Sequence, residues 1–331
     1  MKKSIAAMTA ITAITAAVCA SQSGIVAAQQ RVADANYPSK PIRLIVPQAP
    51  GGSNDIMARF VGGQLAERLQ KQVVVDNRPG AEGIIGSELV ARAAPDGYTL
   101  LMASTAFTMN PAVVKKLPYD PIKDFDFAAL LGRGPVMIVA GPSLAVNSLK
   151  ELIAVGKSKP NFITIASAGG FNHFVSAMFR SHAGFEATIA LYKGGGPAVA
   201  AVLAGEAQLV FGSVTASMPL VRAAKLRALA VTGLARSSLA PELPTLHESG
   251  FPGFNVTAWQ SIVAPAGTPR GIVMRMHGEI IKALATPEVT RLFHNIGYEI
   301  TGTTPEKLAE IILEESRLWA RVIREAGIRP E

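Results

Sequence analysis

The chain has 331 residues, of which 49% are apolar and 17% charged, and its formal net charge is +8 at pH 7. This length suits two domains, and the apolar content excludes a chain that is disordered over most of its length. The basic residues are spread along the sequence without stacking aromatic residues beside them. The composition therefore argues against nucleic-acid binding and suits small acidic ligands or an anionic surface, although the charge alone also fits an ordinary soluble surface.

Residues 1–28 read as a cleavable export signal. Two lysines precede an apolar segment, Ser4–Ala20, which is too short to span a bilayer, and small residues follow it. Cleavage fits after Ala20 or after Ala28, and we favour Ala28. That cleavage leaves 30 Lys and Arg against 24 Asp and Glu, a charge of +6. Lipidation of Cys19, the only cysteine, is the alternative. If the signal is cleaved after Ala28, the mature chain has no thiol. We expect the mature chain in the periplasm.

Apolar strands alternate with amphipathic helices between Lys40 and Phe107. The pattern predicts strand Ile42–Val46, helix Asn54–Leu69, strand Val73–Asp76, helix Ile84–Ala94 and strand Tyr98–Ala103. This alternation indicates βαβ units and a parallel sheet, in which ligands bind at the carboxyl ends of the strands. The connections at that edge are rich in Gly, Ser, Thr and Asn: Pro50–Asp55, Arg78–Gly83 and Ser104–Asn110.

The pattern changes between Asp124 and Ala140, where two extended runs follow each other with no room for a helix. We interpret this segment as one long, bent strand that leaves the first domain. A second alternating series follows, with predicted strands and helices Leu149–Lys157, Ile163–Ser167, Phe174–His182, Thr188–Leu191, Ala198–Ala204, Ala207–Phe211 and Arg227–Thr232. Its strand-to-helix loops, Ser167–Asn172, Gly194–Pro197 and Gly212–Thr215, are predicted to face the loops of the first domain across a cleft.

The chain returns to the first domain through a second extended segment, Val256–Pro265, and then forms helices to about Glu325. Two such crossings make a hinge between two α/β lobes. We therefore assign residues 37–135 and 262–331 to lobe 1 and residues 136–261 to lobe 2.

The loops contain many hydroxyl and backbone donors but few groups suited to bond making. The five histidines do not stand at metal-ligand spacing, and the sequence contains no P-loop, dinucleotide fingerprint or nucleophile elbow. We therefore predict no metal, no cofactor and no enzyme activity. The alternative, an exported hydrolase, would have to use Ser167 and His173.

Several segments together resemble the extracytoplasmic receptors of the tripartite tricarboxylate transporter family, also called Bug proteins. The resemblance runs from Tyr37 to the C-terminus. It rests on the segments Tyr37–Pro47, Pro50–Asp55, Asp76–Ala81, Ala94–Leu100, Tyr192–Ala198, Lys225–Thr232 and Ala264–Pro269.

This resemblance implies a type 2 periplasmic binding protein, or Venus flytrap, whose two lobes each contain a mostly parallel sheet flanked by helices. The ligand it implies is a small carboxylate, such as a dicarboxylate, a tricarboxylate or an aromatic acid. Together with the loop positions, it predicts ligand-binding residues Gly51, Gly52, Ser53, Asp55, Ala81, Glu82, Gly83, Ser104, Thr105, Ser167, Gly169, Asn172, His173, Gly195 and Ser213. The family usually has an aspartate where this chain has Gly212, which argues against an amino-acid ligand.

The family resemblance also predicts a partner: a monomeric receptor that docks transiently on a tripartite membrane permease. A receptor of the same fold that serves a sensor instead of a transporter fits the sequence equally well, so this alternative stays open.

Overall fold

The computed structural model of the protein describes residues 36–51, 53–192 and 194–325, with only the backbone at residue 325. The predicted export signal, with Cys19, and the predicted ligand residue Gly52 lie outside the described residues. The strands are β1 (Ile42–Val46), β2 (Val73–Asn77), β3 (Thr99–Ser104), β4 (Phe125–Ala140), β5 (Ile163–Ser167), β6 (Ala187–Leu191), β7 (Leu209–Ser213), β8 (Arg227–Val231), β9 (Thr257–Pro265) and β10 (Glu299–Ile300).

The helices connect these strands in the alternating order that the sequence predicts. They are α1 (Ser53–Leu69), α2 (Ile84–Ala91), α3 (Thr105–Val113), α4 (Leu149–Ser158), α5 (Gly170–Ala183), α6 (Gly195–Ala204), α7 (Val214–Arg222), α8 (Arg270–Leu284), α9 (Pro287–Asn295) and α10 (Pro305–Glu325). A single 3-10 turn, Ala81–Gly83, precedes α2.

The sheet of the first lobe has the strand order β2-β1-β3-β9-β4. Strands β2, β1 and β3 are parallel, as expected for βαβ units, whereas β9 lies antiparallel to both β3 and β4. Apolar side chains of β1, among them Ile42 and Leu44, pack against Met57 and Val61 of α1. Burial of this apolar face fixes α1 against the sheet and places its first residues at the carboxyl end of β1.

The sheet of the second lobe contains β7, β5 and β6, with β5 parallel to both of its neighbours. Its core includes Phe179, whose ring centroid lies 5.4 Å from that of Phe211 and 5.8 Å from that of Phe251. Strands β1, β2 and β3 are parallel in the first lobe, as are β5, β6 and β7 in the second, and each antiparallel pair of the described strands includes β4 or β9, which cross between the lobes.

Strand β4 belongs to both sheets, which confirms the prediction of one long strand leaving the first lobe. Its first part, through Pro135, pairs with β9, and its second part, from Val136 onward, pairs with β7 and β8. The pairing partners of β4 thus change between residues 135 and 136.

The return crossing lies earlier than predicted. Thr257–Ser261 were assigned to the second lobe, but they pair with Leu130–Pro135 of β4 and, through Gln260 and Ser261, with β3. We therefore place this crossing between residues 256 and 257 instead of 261 and 262. Apolar periodicity defines a strand but not its partners, so the sequence left the position of the crossing undetermined.

The last helix packs against both lobes, although the sequence assigned all of it to the first. Leu308 and Ile312 of α10 lie in the core with Trp259, whereas Trp319 and Ile323 lie in the core of the second lobe. A uniform amphipathic pattern predicts one buried face, and it does not reveal that two different cores cover the two halves of that face.

One helix was not predicted from the sequence, and another begins earlier than the sequence indicates. Helix α3 occupies the predicted loop Ser104–Asn110 and contains Pro111 near its end. Helix α5 begins at Gly170 instead of Phe174, because its glycines lie at the N-terminus, where Gly169 with φ 83° precedes the first turn.

Candidate functional site

A cavity of about 340 Å³ lies where the two lobes meet. Its floor is formed by the two crossing strands, through Pro135, Val136, Ala258 and Trp259, and its walls come from the first turns of helices in both lobes. We call it the main cavity. The remaining residues that line it are Gln48, Ser53, Asn54, Glu82, Ser104, Thr105, Ala106, Ala168, Gly169, Gly170, Phe171, Asn172, Ser213, Val214, Gln260, Ile296 and Tyr298.

The first-lobe wall of the main cavity is a chain of hydrogen-bonded, uncharged side chains. Gln48 Nε2 donates to Ser104 Oγ at 3.2 Å, and Asn54 Nδ2 donates to Gln48 Oε1 at 2.5 Å. Gln260 Nε2 then donates to Asn54 Oδ1 at 2.6 Å. These bonds fix the orientation of each amide, so the wall presents defined donors and acceptors to a ligand.

Tyr298 continues this chain at the edge of the floor. Its hydroxyl accepts a hydrogen bond from Gln260 Nε2 at 3.3 Å and also contacts Ser53. Burial raises the pKa of Tyr298 more strongly than these hydrogen bonds lower it, so the phenol remains protonated. The Oε1 atom of Gln260 is buried and has no hydrogen-bond partner among the described residues.

Asp55 supports the first-lobe loop from behind and does not line the main cavity. Its carboxylate accepts hydrogen bonds from the backbone N–H of Gly51 at 2.9 Å and from Asn77 Nδ2 at 3.0 Å, and it pairs with Arg59 at 2.9 Å. Burial acts to raise the pKa of Asp55, but the bonds from Arg59, Gly51 and Asn77 hold that pKa below its usual value. Asp55 is therefore an ionised anchor for the loop that precedes α1.

The turn at residues 81–83 carries backbone strain. Ala81 and Glu82 both have positive φ, at 47° and 53°, which costs roughly 1–2 kcal/mol for each residue with a side chain. Asn110 Nδ2 donates to the backbone oxygen of Glu82 at 3.3 Å and helps to hold this conformation. Gly83 packs against Pro47 behind the turn. Strain of this kind persists where the surroundings enforce it, often at a binding site.

The carboxylate of Glu82 extends from the first lobe to the start of α5 in the second. A Cβ atom built on Gly170 would lie 2.7 Å from Glu82 Oε2, so a side chain at position 170 would displace the flexible end of Glu82. Glu82 lines the main cavity, and it also lines a second cavity beside it.

The second-lobe residues divide between the two cavities. Asn172 and Ser213 line the main cavity, whereas His173 lines the second cavity. Ser213 also caps α7, because its Oγ accepts a hydrogen bond from the backbone N–H of Ala216 at 3.2 Å. Burial, together with the charge of Arg180, lowers the pKa of His173, so its ring is neutral at pH 7.

Ser167 and His173 do not form the pair that a hydrolase would need. Ser167 is fully buried, and its Oγ accepts a hydrogen bond from the backbone N–H of Gly169 at 3.2 Å. The Nδ1 atom of His173 has no partner among the described residues. A nucleophilic serine requires a base within hydrogen-bond reach, and these two side chains share no hydrogen bond in the described structure.

Seven predicted ligand residues meet at the main cavity, and they come from both lobes: Ser53, Glu82, Ser104, Thr105, Gly169, Asn172 and Ser213. Two more, Ala81 and His173, line only the second cavity. The remaining described residues of the predicted set line neither of these cavities: Asp55, Gly83 and Ser167 are buried, and Gly51 and Gly195 are exposed.

Position 212 faces the second-lobe helix α7. Gly212 is buried in β7, and a Cβ atom there would lie 2.7 Å from Ser217 Oγ. Ser217 is fully buried, and its hydroxyl has no hydrogen-bond partner in the described part of the chain. A side chain at position 212 would therefore meet Ser217 first.

Sequence reasoning missed the polar residues of the wall and floor. Asn54 lies in the predicted loop Pro50–Asp55 but was not among the predicted ligand residues, and Gln260 lies in the extended segment Val256–Pro265, which was interpreted only as a crossing between the lobes. A signal was available at Gln260, since a polar residue within an apolar run is unusual in a buried strand. Tyr298 carries no comparable signal, because it reaches the cavity only through the pairing of β10 with β4.

The part of the chain that the structure describes contains no cluster of three or more His, Cys, Asp or Glu residues placed to bind a metal. No helix among the same residues is both long enough and apolar enough to cross a bilayer.

The profile of the family described as "Tripartite tricarboxylate transporter family receptor" matches residues 57–328. The chain belongs to this family. The match confirms the family resemblance inferred from the sequence motifs, and it includes both lobes and the last helix.

The chain is similar to proteins from several bacteria over most of its own length and of theirs. The chain is 37% identical to the UPF0065 protein in the tcbD-tcbE intergenic region of Pseudomonas sp. (strain P51), with 87% of each chain covered. It is 35% identical to protein BugT of Bordetella pertussis, with 88% of this chain and 91% of BugT covered.

Solved structures of receptors show the same two-lobed fold. R. palustris Rpa4515 with adipate superposes with a TM-score of 0.80 at 30% identity, over 89% of this chain and 100% of the other. MatC from Rhodopseudomonas palustris with bound malate has a TM-score of 0.76 at 29% identity, over 87% of this chain and 100% of MatC. The predicted two-lobed periplasmic receptor fold is thus confirmed.

Proposed function

We propose that this family member is a periplasmic receptor that captures a small carboxylate between its lobes and delivers it to a tripartite membrane permease. The observation that carries this proposal is the convergence of four helix N-termini on the main cavity. Residues from the first turns of α1, α3, α5 and α7 line it: Ser53, Asn54, Thr105, Ala106, Gly170, Phe171, Asn172 and Val214.

Helix N-termini favour anions because their first N–H groups have no partner within the helix and the helix dipole is positive there. None of the described residues that line the main cavity is lysine or arginine. Amide, hydroxyl and backbone donors would therefore bind the carboxylate. This arrangement suits reversible capture, since several hydrogen bonds can hold an anion without forming a covalent bond.

The ligands in related structures support this proposal. Rpa4515 was solved with adipate and MatC with malate, and both ligands are carboxylates. The two crossing strands at the floor of the cavity provide the hinge by which the lobes would close over the ligand. We infer that the receptor acts as a monomer, exported to the periplasm, and that it has no catalytic activity.

A panel of acids tests this function. Acetate, hexanoate, succinate, adipate, malate, citrate, benzoate and 3-phenylpropanoate would be titrated into the purified protein, with the melting temperature and the binding heat measured. We expect at least one acid to bind with micromolar or tighter affinity and to raise the melting temperature, because a ligand that binds only the folded state stabilises it. A folded protein that binds none of these acids would refute the proposal.

The variant Asn54→Asp tests the position of the anion site. It preserves the shape of the side chain but adds a negative charge to the wall, so we expect carboxylate affinity to fall at least about 30-fold. The matched control is Asn161→Asp, an exposed position before β5 at the end of the strand away from the cleft, where affinity should not change. Unchanged affinity in Asn54→Asp would place the carboxylate elsewhere.

A further inference from the structure

A second cavity of about 430 Å³, which we call the side cavity, adjoins the main cavity. The two cavities share Glu82, Gly169 and Gly170 in their linings. These residues form a common wall between the side cavity and the proposed ligand site, and a rotation of the Glu82 side chain would connect the two. A cavity of about 150 Å³ can hold benzene, so the space is sufficient for an aryl ring or an alkyl chain.

Both lobes contribute apolar side chains to the side cavity. Ile84, Val113 and Val114 come from the first lobe, and Phe174 and Leu191 come from the second. Leu191 is 67% exposed, the largest exposed fraction among the large apolar side chains that the structure describes. An apolar side chain at the opening of an apolar cavity beside a polar site is typical of a pocket for a ligand with one polar and one apolar end.

Charge in the side cavity disfavours a second carboxylate. Glu82 is the only acidic residue in the described lining, and no lysine or arginine is present there to balance it. His173 provides a ring nitrogen without a partner, but its lowered pKa leaves the ring uncharged at pH 7. A second carboxylate would therefore lie near Glu82 with no opposing charge from the described residues, which is unfavourable.

We propose that the side cavity binds the apolar end of the same ligand whose carboxylate lies in the main cavity. The preferred ligand class is then a monocarboxylate with an alkyl or aryl extension. Glu82 selects against acids with more than one carboxylate, whether their chains are short or long. This inference rests on the proposed function, because it specifies the far end of the ligand that the main cavity holds by its carboxylate.

Two ligand comparisons test the inference on the wild-type protein by calorimetry. Hexanoate and adipate have the same six-carbon chain and differ in whether the far end is a methyl group or a carboxylate, and we expect hexanoate to bind at least about tenfold more tightly. In the series benzoate, phenylacetate, 3-phenylpropanoate and 4-phenylbutanoate, we expect affinity to rise by about fourfold per methylene group until the side cavity is filled.

Two variants then test whether residues of the side cavity cause these differences in affinity. Leu191→Ala should weaken binding of 3-phenylpropanoate about two- to fivefold and leave acetate binding unchanged. Its control is Leu234→Ala, the same substitution at a side chain that is 50% exposed and lines neither cavity, where no affinity should change. Glu82→Gln should bring the affinities for adipate and hexanoate closer together by about fivefold, because it removes the charge and retains the shape.

The possible results separate this inference from the proposed function. If short or dicarboxylic acids bind and the extended monocarboxylates do not bind more tightly, the receptor function stands and the inference is wrong. If hexanoate binds more tightly but neither Leu191→Ala nor Glu82→Gln changes the selectivity, the apolar end lies elsewhere and the inference is also wrong. If a folded protein binds no acid of either series, both proposals fail.

Discussion

The indole N–H of Trp259 donates a hydrogen bond to the carboxylate of Glu315, which joins the floor of the main cavity to the last helix. Thr108 Oγ1 donates to the same carboxylate at 3.3 Å. Burial raises the pKa of Glu315 to about 7, although the bond from Trp259, the charge of Arg133 and the bond from Thr108 act to lower it. A titratable group thus lies beneath the proposed ligand site, where α10 packs against both lobes.

The raised pKa of Glu315 predicts a loss of stability as the pH rises. The folded protein holds a proton at Glu315 that the unfolded chain, with a glutamate pKa near 4.5, releases. This contribution to the free energy of unfolding is fully present below pH 4.5 and is lost as the pH rises through about 7. We expect the loss to be at most about 3 kcal/mol.

The comparison of Glu315→Gln with Glu314→Gln measures this contribution. Glutamine at position 315 still accepts the bond from Trp259 but cannot ionise, so that variant should lack the decline and be more stable than the wild type at pH 8. Glu314 is the exposed neighbour on the same helix, and its replacement should retain the wild-type pH dependence. Urea denaturation between pH 4 and pH 8 provides the test. Parallel wild-type and Glu315→Gln curves would contradict it.

The lowered pKa of Asp55 predicts that its contribution to stability depends on pH in the opposite direction. Because its folded-state pKa is lowered, its contribution is present above the unfolded pKa and is lost as the pH falls through the lower folded value. At pH 7 we expect Asp55→Asn to reduce the free energy of unfolding by about 1–3 kcal/mol, since the loop loses a charged acceptor for Gly51 and Asn77. The difference in free energy of unfolding between the wild type and Asp55→Asn should shrink below pH 4.

Arg59→Gln supplies a graded comparison for Asp55. The Arg59 side chain is 54% exposed, so removal of its ion pair with Asp55 should reduce the free energy of unfolding by less than about 1 kcal/mol. The bonds from Gly51 and Asn77 remain in that variant. Denaturation of both variants at pH 7 and pH 3.5 would test the assignment. If Arg59→Gln destabilises the protein as much as Asp55→Asn, the ion pair and not the loop contacts carries the effect.

The sequence could predict those parts of the fold that local patterns determine. The segment from Ile42 through α1 shows an apolar run, a Pro/Gly loop and cap-forming residues, and the structure has a strand, a loop and a helix there. The long strand β4 was predictable for the same reason, since its two apolar runs leave no room for a helix. Two crossings of this kind were sufficient to predict a hinge.

The features that depend on tertiary pairing could not be predicted in this way. Gln260 contributes to the wall only because β9 pairs with β3 and β4 in a register that brings it beside Asn54. The approach of Glu82 to Gly170 likewise depends on the relative position of the lobes. The predicted residues Ser53 and Ser104 line the cavity because strand-end loops of one parallel sheet converge, which is a general property of the fold.

Tyr298→Phe tests the contribution of the hydrogen-bonded wall to binding. Loss of the hydroxyl removes an acceptor for Gln260 and a contact of Ser53, so both polar side chains lose a fixed orientation. We expect carboxylate affinity to fall about 5- to 20-fold, corresponding to roughly 1–2 kcal/mol for one hydrogen bond in a buried network. Calorimetry with the tightest acid of the panel measures this change.

Tyr37→Phe is the matched control for Tyr298→Phe. The Tyr37 hydroxyl donates a hydrogen bond to the backbone oxygen of Gly97 at 2.6 Å, in the first-lobe core and outside the lining of both cavities. This variant should lose a similar amount of stability, about 1 kcal/mol, without any change in affinity. Equal losses of affinity in the two variants would mean that the effect arises from general destabilisation and not from the wall.

Thr232 connects the two segments of the chain that cross between the lobes. Its backbone N–H donates to Val136 O at 3.0 Å, and its backbone oxygen accepts from the N–H of Val256 at 3.0 Å. Its side-chain hydroxyl repeats the connection, because it accepts from the N–H of Val136 at 3.1 Å and donates to Val256 O at 2.6 Å. Thr232 is fully buried, so these groups cannot bond to water instead.

Thr232→Val should therefore destabilise the protein by about 2–4 kcal/mol, since it retains the shape but leaves a buried N–H and a buried carbonyl without the hydroxyl. Thr232→Ser keeps the hydroxyl and loses only a methyl group, so its cost should be about 1 kcal/mol. Chemical denaturation measures both values. If Thr232→Ser and Thr232→Val reduce the free energy of unfolding equally, the hydroxyl contributes no more than the methyl group, and its hydrogen bonds do not hold the two crossings together. A larger cost for valine would show that the two strands are connected at residue 232 before any ligand closes the lobes.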